Sequence, residues 1–166
     1  MTGDLRVVLP LAFLAGGAFA VYLVARFVTS RNDLLALFTA GVFTAALAAL
    51  AFLQSAAADG RRPSPEHLPT WGHFGPGGAL LRADSGALVM AGVAIGLGLL
   101  VTVYSGRYLA LDQRYETYYP LLLMLMSGLV GMLLAEDLFN LYMFSELMSI
   151  AAYVLVAFRR RNAAAI

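Results

Sequence analysis

Five long apolar runs constrain the fold of this 166-residue chain more than any other feature of its sequence. A helix needs about 20 apolar residues to cross the hydrocarbon core of a bilayer, where its backbone groups must be hydrogen-bonded within the segment. The runs cover residues 7–25, 34–58, 85–106, 117–135 and 138–158. With 61% hydrophobic and 13% charged residues, a water-soluble monomer is excluded as the leading interpretation. The sequence predicts an all-α membrane protein with about five transmembrane helices.

The first run contains Ala18-Phe19-Ala20, whose small-residue spacing is similar to that of a signal-peptide cleavage site. The leader, however, balances its single base, Arg6, with Asp4, and the apolar stretch continues past the small residues. We therefore predict a retained helix, and a cleaved signal is the alternative.

Residues 59–83 separate the second and third runs and predict a long loop. Four prolines and five glycines lie in this segment, a composition that does not continue a helix. Aromatic residues beside the runs are predicted to anchor the helices at the membrane interface. They are Trp71 and the tyrosines at 104, 108, 115, 118 and 119. The predicted organisation is two helices (1–58), the loop (59–83), three helices (84–158) and a basic tail (159–166).

The distribution of arginine predicts the orientation, because positively charged segments near helix ends tend to stay in the cytoplasm. One side of the predicted bundle holds Arg6, Arg61, Arg62 and Arg82. The other side holds seven: Arg26, Arg31, Arg107, Arg114, Arg159, Arg160 and Arg161. We therefore expect the N-terminus outside and the C-terminus in the cytoplasm of a bacterial or archaeal cell.

The fifth run is the only one that contains a charged residue, Glu146, near its middle. Ionisable groups at this depth cost about 2.5–3.5 kcal/mol on insertion scales, usually face a bundle interior and mark ion or proton paths. At spacings of three and four, the same helix face carries Tyr142, Ser145, Ser149 and Tyr153. We predict that Glu146 takes part in a proton relay, supported by these four residues. The alternative is a protonated glutamate that only hydrogen-bonds a neighbouring helix.

Weaker motifs have structural interpretations. Gly92 and Gly96 on the third helix, and Ser127, Gly128 and Gly131 on the fourth, form small faces that permit close helix contact. His67 and His73 are too irregularly placed for helical metal ligands and are expected to be solvated. Asp84, Glu136 and Asp137 stand at predicted helix starts, where capping is the expected role.

The chain has no cysteine, which excludes disulfides, thiolate metal sites and thiol catalysis, and it shows no cofactor motif. We therefore predict neither a cofactor nor a metal site. Its net charge of +1 provides no basic field for nucleic acid.

The segment from Ala135 to Phe158 resembles helix five of the proton-translocating antiporter-like subunits. This family includes the Mrp D protein of multisubunit sodium/proton antiporters and the antiporter-like subunits of respiratory complex I and of membrane-bound hydrogenases. The stretch Asp137-Leu-Phe-Asn-Leu-Tyr142 is most similar to the Mrp D type. Asp84 and the stretch Tyr104-Ser-Gly-Arg-Tyr108 are similar to the start and end of the family's third helix.

The resemblance implies that Glu146 pairs with a lysine on a later, broken helix. The family's full module has about fourteen helices, and this sequence contains five apolar runs and no lysine. We therefore expect half of a proton relay, completed by another polypeptide, and either a split gene or a truncated natural protein. The expected partners are membrane subunits that supply later helices and lysines, protons and, in an antiporter, sodium ions, and the lipid bilayer.

Three hypotheses follow. The first is a transport subunit of a cation/proton antiporter or of a complex I-like pump, without a catalytic site of its own. The second is a structural or assembly subunit of such a membrane arm, in which Glu146 only ties helices together. The third is a free-standing five-helix channel or receptor. The sequence does not decide whether the assembly is an oxidoreductase.

Overall fold

The computed structural model describes residues 5–27, 32–59, 70–73, 79–108 and 115–163. After a 3-10 turn at Leu5–Val7, the chain forms five helices. They are α1 (Leu9–Phe27), α2 (Asn32–Asp59), α3 (Ser85–Tyr108), α4 (Tyr115–Leu134) and α5 (Leu138–Ala163). Within the described residues, each of the five is long and apolar enough to cross a membrane. The prediction of an all-α membrane protein with five transmembrane helices is confirmed.

Four of the helices share a common core, and the fifth lies at its edge. Helix α1 packs on α2 and α4, and α3 packs on α2 and α4. The centre is filled by large apolar side chains that are fully buried, among them Leu14, Phe43, Leu53, Ile95 and Leu123. Helix α5 packs mainly on α4, and only 6% of its apolar span is buried, against 33–50% for the other four spans. One flank of α4 is therefore the main support of α5.

Two glycines of α4 allow this close approach. A Cβ atom added at Gly128 would lie 2.8 Å from the backbone nitrogen of Met148 on α5, and one added at Gly131 would overlap the ring of Phe144. The predicted small face of α4 is thus a helix contact. The small face predicted for α3 is only partly one, because Gly92 meets Leu50 of α2 but Gly96 has no atom within 4 Å.

The loop predicted between the second and third runs contains two short strands that were not expected from the sequence. Strand β1 (Thr70–His73) pairs antiparallel with β2 (Ala79–Arg82), and Thr70 lies opposite Arg82. Leu81 of β2 also forms an isolated antiparallel bridge with Ala135, in the short connection between α4 and α5. The hairpin is thereby joined to the end of the bundle at which α3 and α5 begin.

One predicted interface anchor is wrong. Tyr119 has no exposed surface, and its ring stands edge-on to that of Tyr118 with centroids 5.4 Å apart. Both tyrosines hydrogen-bond with Ser105 on α3, which is itself buried. Tyr119 therefore lies inside the bundle and not at its lipid-facing surface. Tyr104, by contrast, is 73% exposed, as expected for an interfacial residue.

Candidate functional site

The candidate site lies on α5, whose start is set by a well-formed N-cap. The Asp137 carboxylate accepts hydrogen bonds from the backbone N–H of Asn140 (2.7 Å) and from the Asn140 side-chain amide (2.6 Å). Its backbone carbonyl accepts the N–H of Leu141 at 3.0 Å. These bonds, the Asn140 backbone bond foremost, hold the pKa of Asp137 below its ordinary value. The carboxylate therefore stays ionised and caps the helix at neutral pH.

Asp84 caps α3 in the same way, and its carboxylate accepts the backbone N–H of Ala87 at 2.6 Å. The capping predictions for Asp84 and Asp137 are thus confirmed. Glu136 instead forms an ion pair with Arg82, with 2.7 Å between Nη1 and Oε1. A carboxylate just before an N-cap is free to reach sideways, and here the strand that precedes α3 provides the base.

Glu146 lies well inside the membrane-spanning part of α5. The span covers Leu138–Ala157, and at about 1.5 Å per residue Glu146 is about 12 Å along the helix from Leu138. It therefore lies in the middle third of a helix long enough to cross the hydrocarbon core. The sequence prediction of its depth agrees with this position.

Glu146 points away from the bundle. Phe144, Met148 and the buried Ala151 form the side of α5 that packs on α4. At about 100° per residue, Glu146 lies about 140–160° around the helix from each of these residues. Glu146 is exposed, and the side chains above and below it, Tyr142 and Tyr153, are 61% and 73% exposed. The face that carries the carboxylate is therefore uncovered by the other four helices.

The supporting residues predicted from the sequence share this face only in part. Tyr142 and Tyr153 point in nearly the same direction as Glu146, whereas Ser145 and Ser149 lie toward its flank and are half-buried. The Ser145 hydroxyl donates a hydrogen bond to the Tyr142 carbonyl at 2.7 Å, within its own helix. The arrangement is a carboxylate between two tyrosine rings, with serine hydroxyls beside it.

Among the residues that the structure describes, no base forms an ion pair with Glu146 and no group of three or more histidine and acidic side chains has metal-binding geometry. His67 lies outside the described residues, and nothing is described of the His73 side chain. What the geometry provides is a carboxylate on the outer face of a transmembrane helix. Such a group can exchange a proton or pair with a cation brought to that face.

Sequence reasoning missed the contact between Arg82 and Glu136, although it considered Glu136 as a helix cap and Arg82 as a marker of orientation. The two are 54 positions apart, and neither residue belongs to a local motif. The sequence offers two indications of the contact. Arg82 and Glu136 each lie within two residues of a capping aspartate, and their connections are predicted to lie on the same side of the membrane. That common placement favours a contact without identifying the pair.

The fold and the site define a polytopic α-helical membrane protein with a carboxylate inside a peripheral helix. No protein-family model matches the chain. The chain is 40% identical over 131 residues to NADH-quinone oxidoreductase subunit N of Desulforudis audaxviator, a match that covers 75% of this chain and 26% of that protein. It is 38% identical over 89 residues to the D component of the Na(+)/H(+) antiporter of Bacillus subtilis, covering 54% of this chain and 18% of that protein.

A third relative is NAD(P)H-quinone oxidoreductase subunit 5 of the Adiantum capillus-veneris chloroplast, 36% identical over 75 residues, with 45% of this chain and 10% of that protein covered. The chain belongs to the family of antiporter-like membrane subunits that these relatives represent. It spans about a quarter or less of the length of these three relatives.

Proposed function

We propose that the chain forms part of a membrane complex that moves protons, either a cation/proton antiporter or a complex I-like pump. In this complex Glu146 would be one station of a proton relay. The support is the similarity to subunits of both kinds of complex, together with the carboxylate inside α5. We further propose a bacterial or archaeal cell membrane as the location, with the C-terminus in the cytoplasm.

One observation carries the proposal, namely that the face of α5 bearing Glu146 is uncovered. A carboxylate exposed to lipid costs about 2.5–3.5 kcal/mol on insertion scales, which favours covering that face with protein or a water-filled cavity. Helix α4 packs on the opposite side of α5 from Glu146, and the other three helices contact α5 little. We infer that helices absent from this sequence cover the face.

The covering helices are also expected to supply a base. All eleven basic residues of this chain are arginines, and all lie outside the five apolar runs. Removal from water disfavours the charged form of a carboxylate, whereas a nearby ammonium or guanidinium favours it. A carboxylate balanced between these effects changes its proton occupancy when the base moves, as a relay requires. The lysine implied by the family resemblance would serve as that base.

The test is the replacement of Glu146 by glutamine, which keeps the size and hydrogen-bonding capacity of the side chain but cannot titrate. We expect E146Q to assemble normally and to lose ion-driven transport in membrane vesicles. E146D keeps the carboxylate but shortens the side chain by one methylene, and it should retain partial activity. Y153F and S149A, which each remove one hydroxyl and no charge, should have milder effects.

The matched control is D33N, which makes the same change from carboxylate to amide at the exposed start of α2. Transport is measured by ion-driven fluorescence quenching and normalised to the amount of assembled complex. If E146Q transports as well as D33N does, the relay role is refuted. Activity that follows only the assembled amount would then favour the structural-subunit hypothesis.

A further inference from the structure

Two connections meet at the end of the bundle where α3 and α5 begin. The first is the segment 81–84, which comprises the end of β2 and the two residues that lead into α3, and the second is the segment 135–137, which leads from α4 into α5. The Leu81–Ala135 bridge and the Arg82–Glu136 ion pair join them, and Asp84 and Asp137 then cap the two helices. We refer to residues 81–84 and 135–137 together as the latch.

The apolar residues of the latch are buried against the bundle. Leu81 is 5% exposed, Ala83 is 1% exposed, and Leu134, which precedes the second segment, is 1% exposed. The charged pair lies at the rim of this apolar contact, with about a third of each side chain exposed (33% and 31%). The pair therefore lies where it can fix the direction in which the connection leaves α4. The apolar residues beneath the pair are buried.

Helix α5 is held by its close packing on α4 and, at its N-terminal end, by this attachment, and it contacts the other three helices little. It packs mainly on α4 and buries 6% of its span. Glu146 lies nine residues beyond Asp137, about 14 Å along the axis. A tilt of α5 by about 5° around its N-cap would displace Glu146 by about 1.2 Å, and an error of about 1 Å in a reacting geometry can cost a factor of about 100 in rate.

We propose that Arg82 is a positioning residue for Glu146. Through its ion pair with Glu136, the hairpin fixes the origin and tilt of α5 and thereby holds the carboxylate in reach of the group with which it exchanges protons. This inference rests on the proposed relay role of Glu146. A partly exposed ion pair contributes little to overall stability. Its loss is therefore expected to change geometry and transport far more than the amount of assembled complex.

The functional experiment compares four variants in the natural host's membranes. We expect R82A to lower transport per assembled complex by about 10- to 100-fold, in line with the cost of a displacement of about 1 Å. R82K keeps the charge and should retain at least about half of the activity, and the exchanged pair R82E/E136R should recover most of it. R6A is the matched control, since Arg6 lies at the same end of the bundle but stacks on the Phe52 ring of α2 at 5.2 Å. It should stay within about twofold of the parent.

The geometric experiment does not depend on transport. Spin labels are attached to cysteines at Val103 on α3 and Val156 on α5, two exposed positions toward the opposite end of the bundle. Val156 lies about 28 Å beyond Asp137, so a tilt of about 5° would change its position by about 2.5 Å. We expect R82A to shift or broaden the measured distance, and R82E/E136R to restore it.

The outcomes separate this inference from the proposed function. If the distance and the normalised transport of R82A both match those of R6A, the positioning role is overturned. A changed distance with unchanged transport would also overturn it, because the displaced carboxylate would then be as competent as before. Full transport by E146Q would refute the relay itself, whatever the spin labels show. If R82A assembles poorly, distance and transport are compared instead between R82K and R82E/E136R, because both variants keep an opposite-charge pair.

Discussion

Substitution of Gly128 by alanine tests the contact on which the position of α5 depends. The added Cβ would lie 2.8 Å from the nitrogen, 2.9 Å from the Cβ and 3.0 Å from the Cα of Met148. Two of these three atoms are backbone, so no change of rotamer relieves the overlap. Non-bonded atoms prefer about 3.5–4.0 Å, and the helices must therefore separate by about 0.7–1.2 Å. Overpacking of this kind costs about 1–3 kcal/mol.

The matched control is G96A, on the span of α3. The Cβ added there meets no atom within 4 Å, so the substitution introduces a methyl group into a helix without an overlap. Alanine is intrinsically favoured over glycine by about 1 kcal/mol in helices. This preference is common to both variants and cancels in the comparison. G128A should thus be less stable than G96A by about 1–3 kcal/mol.

Unfolding of the assembled protein in mixed micelles of increasing SDS content, followed by circular dichroism, measures this difference. G131A should fall between the two variants, because the Cβ added there overlaps the ring of Phe144, a side chain that can rotate. Equal free energies of unfolding for G128A and G96A would show that α4 and α5 do not pack at Gly128 as described.

The remaining predictions concern orientation, assembly and the helix caps. A single cysteine at position 64, in the cysteine-free chain, should react with an impermeant maleimide in intact cells, and one at position 162 only after permeabilisation; the reverse pattern would invert the topology. Expressed without partners, the chain should be degraded or aggregate in detergent, because the Glu146 face is uncovered; a monodisperse, protease-resistant monomer would contradict this. D84A should lower the free energy of unfolding by about 1 kcal/mol through loss of the α3 cap, measured by the same SDS titration. The pKa of Asp137 is lowered in the folded chain, so its stabilising effect is complete above its ordinary value of 3.8 and is lost as the pH falls through the lower folded value; the stability difference between D137N and the parent should therefore be constant from about pH 5 to 8.

The helices were predictable from the sequence because each is a long apolar run bounded by charges. Acids mark the starts of α3 and α5, and Asp84 and Asp137 do cap them. The strands were not predictable, since each has four residues and the segment is rich in proline and glycine. Such short strands form through tertiary contact, here the bridge between Leu81 and Ala135.

The common face of Tyr142, Glu146 and Tyr153 was predictable, but the direction of that face was not. Helical spacing groups Tyr142, Glu146 and Tyr153 on one face. In a soluble protein the apolar face would then be assigned to the core, but a transmembrane helix is apolar on most sides and gives no such contrast. The packing side of α5 is identified by Gly128 and Gly131 on another helix, which no periodicity within α5 reveals.

The three-residue connection between α4 and α5 also bears on how the chain enters the bilayer during synthesis. Residues 135–137 are too few to hold the helices apart, so α5 emerges from the ribosome beside an α4 that has only just been made. Of the five spans, that of α5 is the least hydrophobic and contains Glu146. A segment of this kind gains from leaving the translocon together with a more apolar neighbour, because the pair presents less polar surface to lipid than α5 alone. Helices α4 and α5 are therefore expected to insert as a single helical hairpin, in which the more apolar α4 assists the insertion of α5.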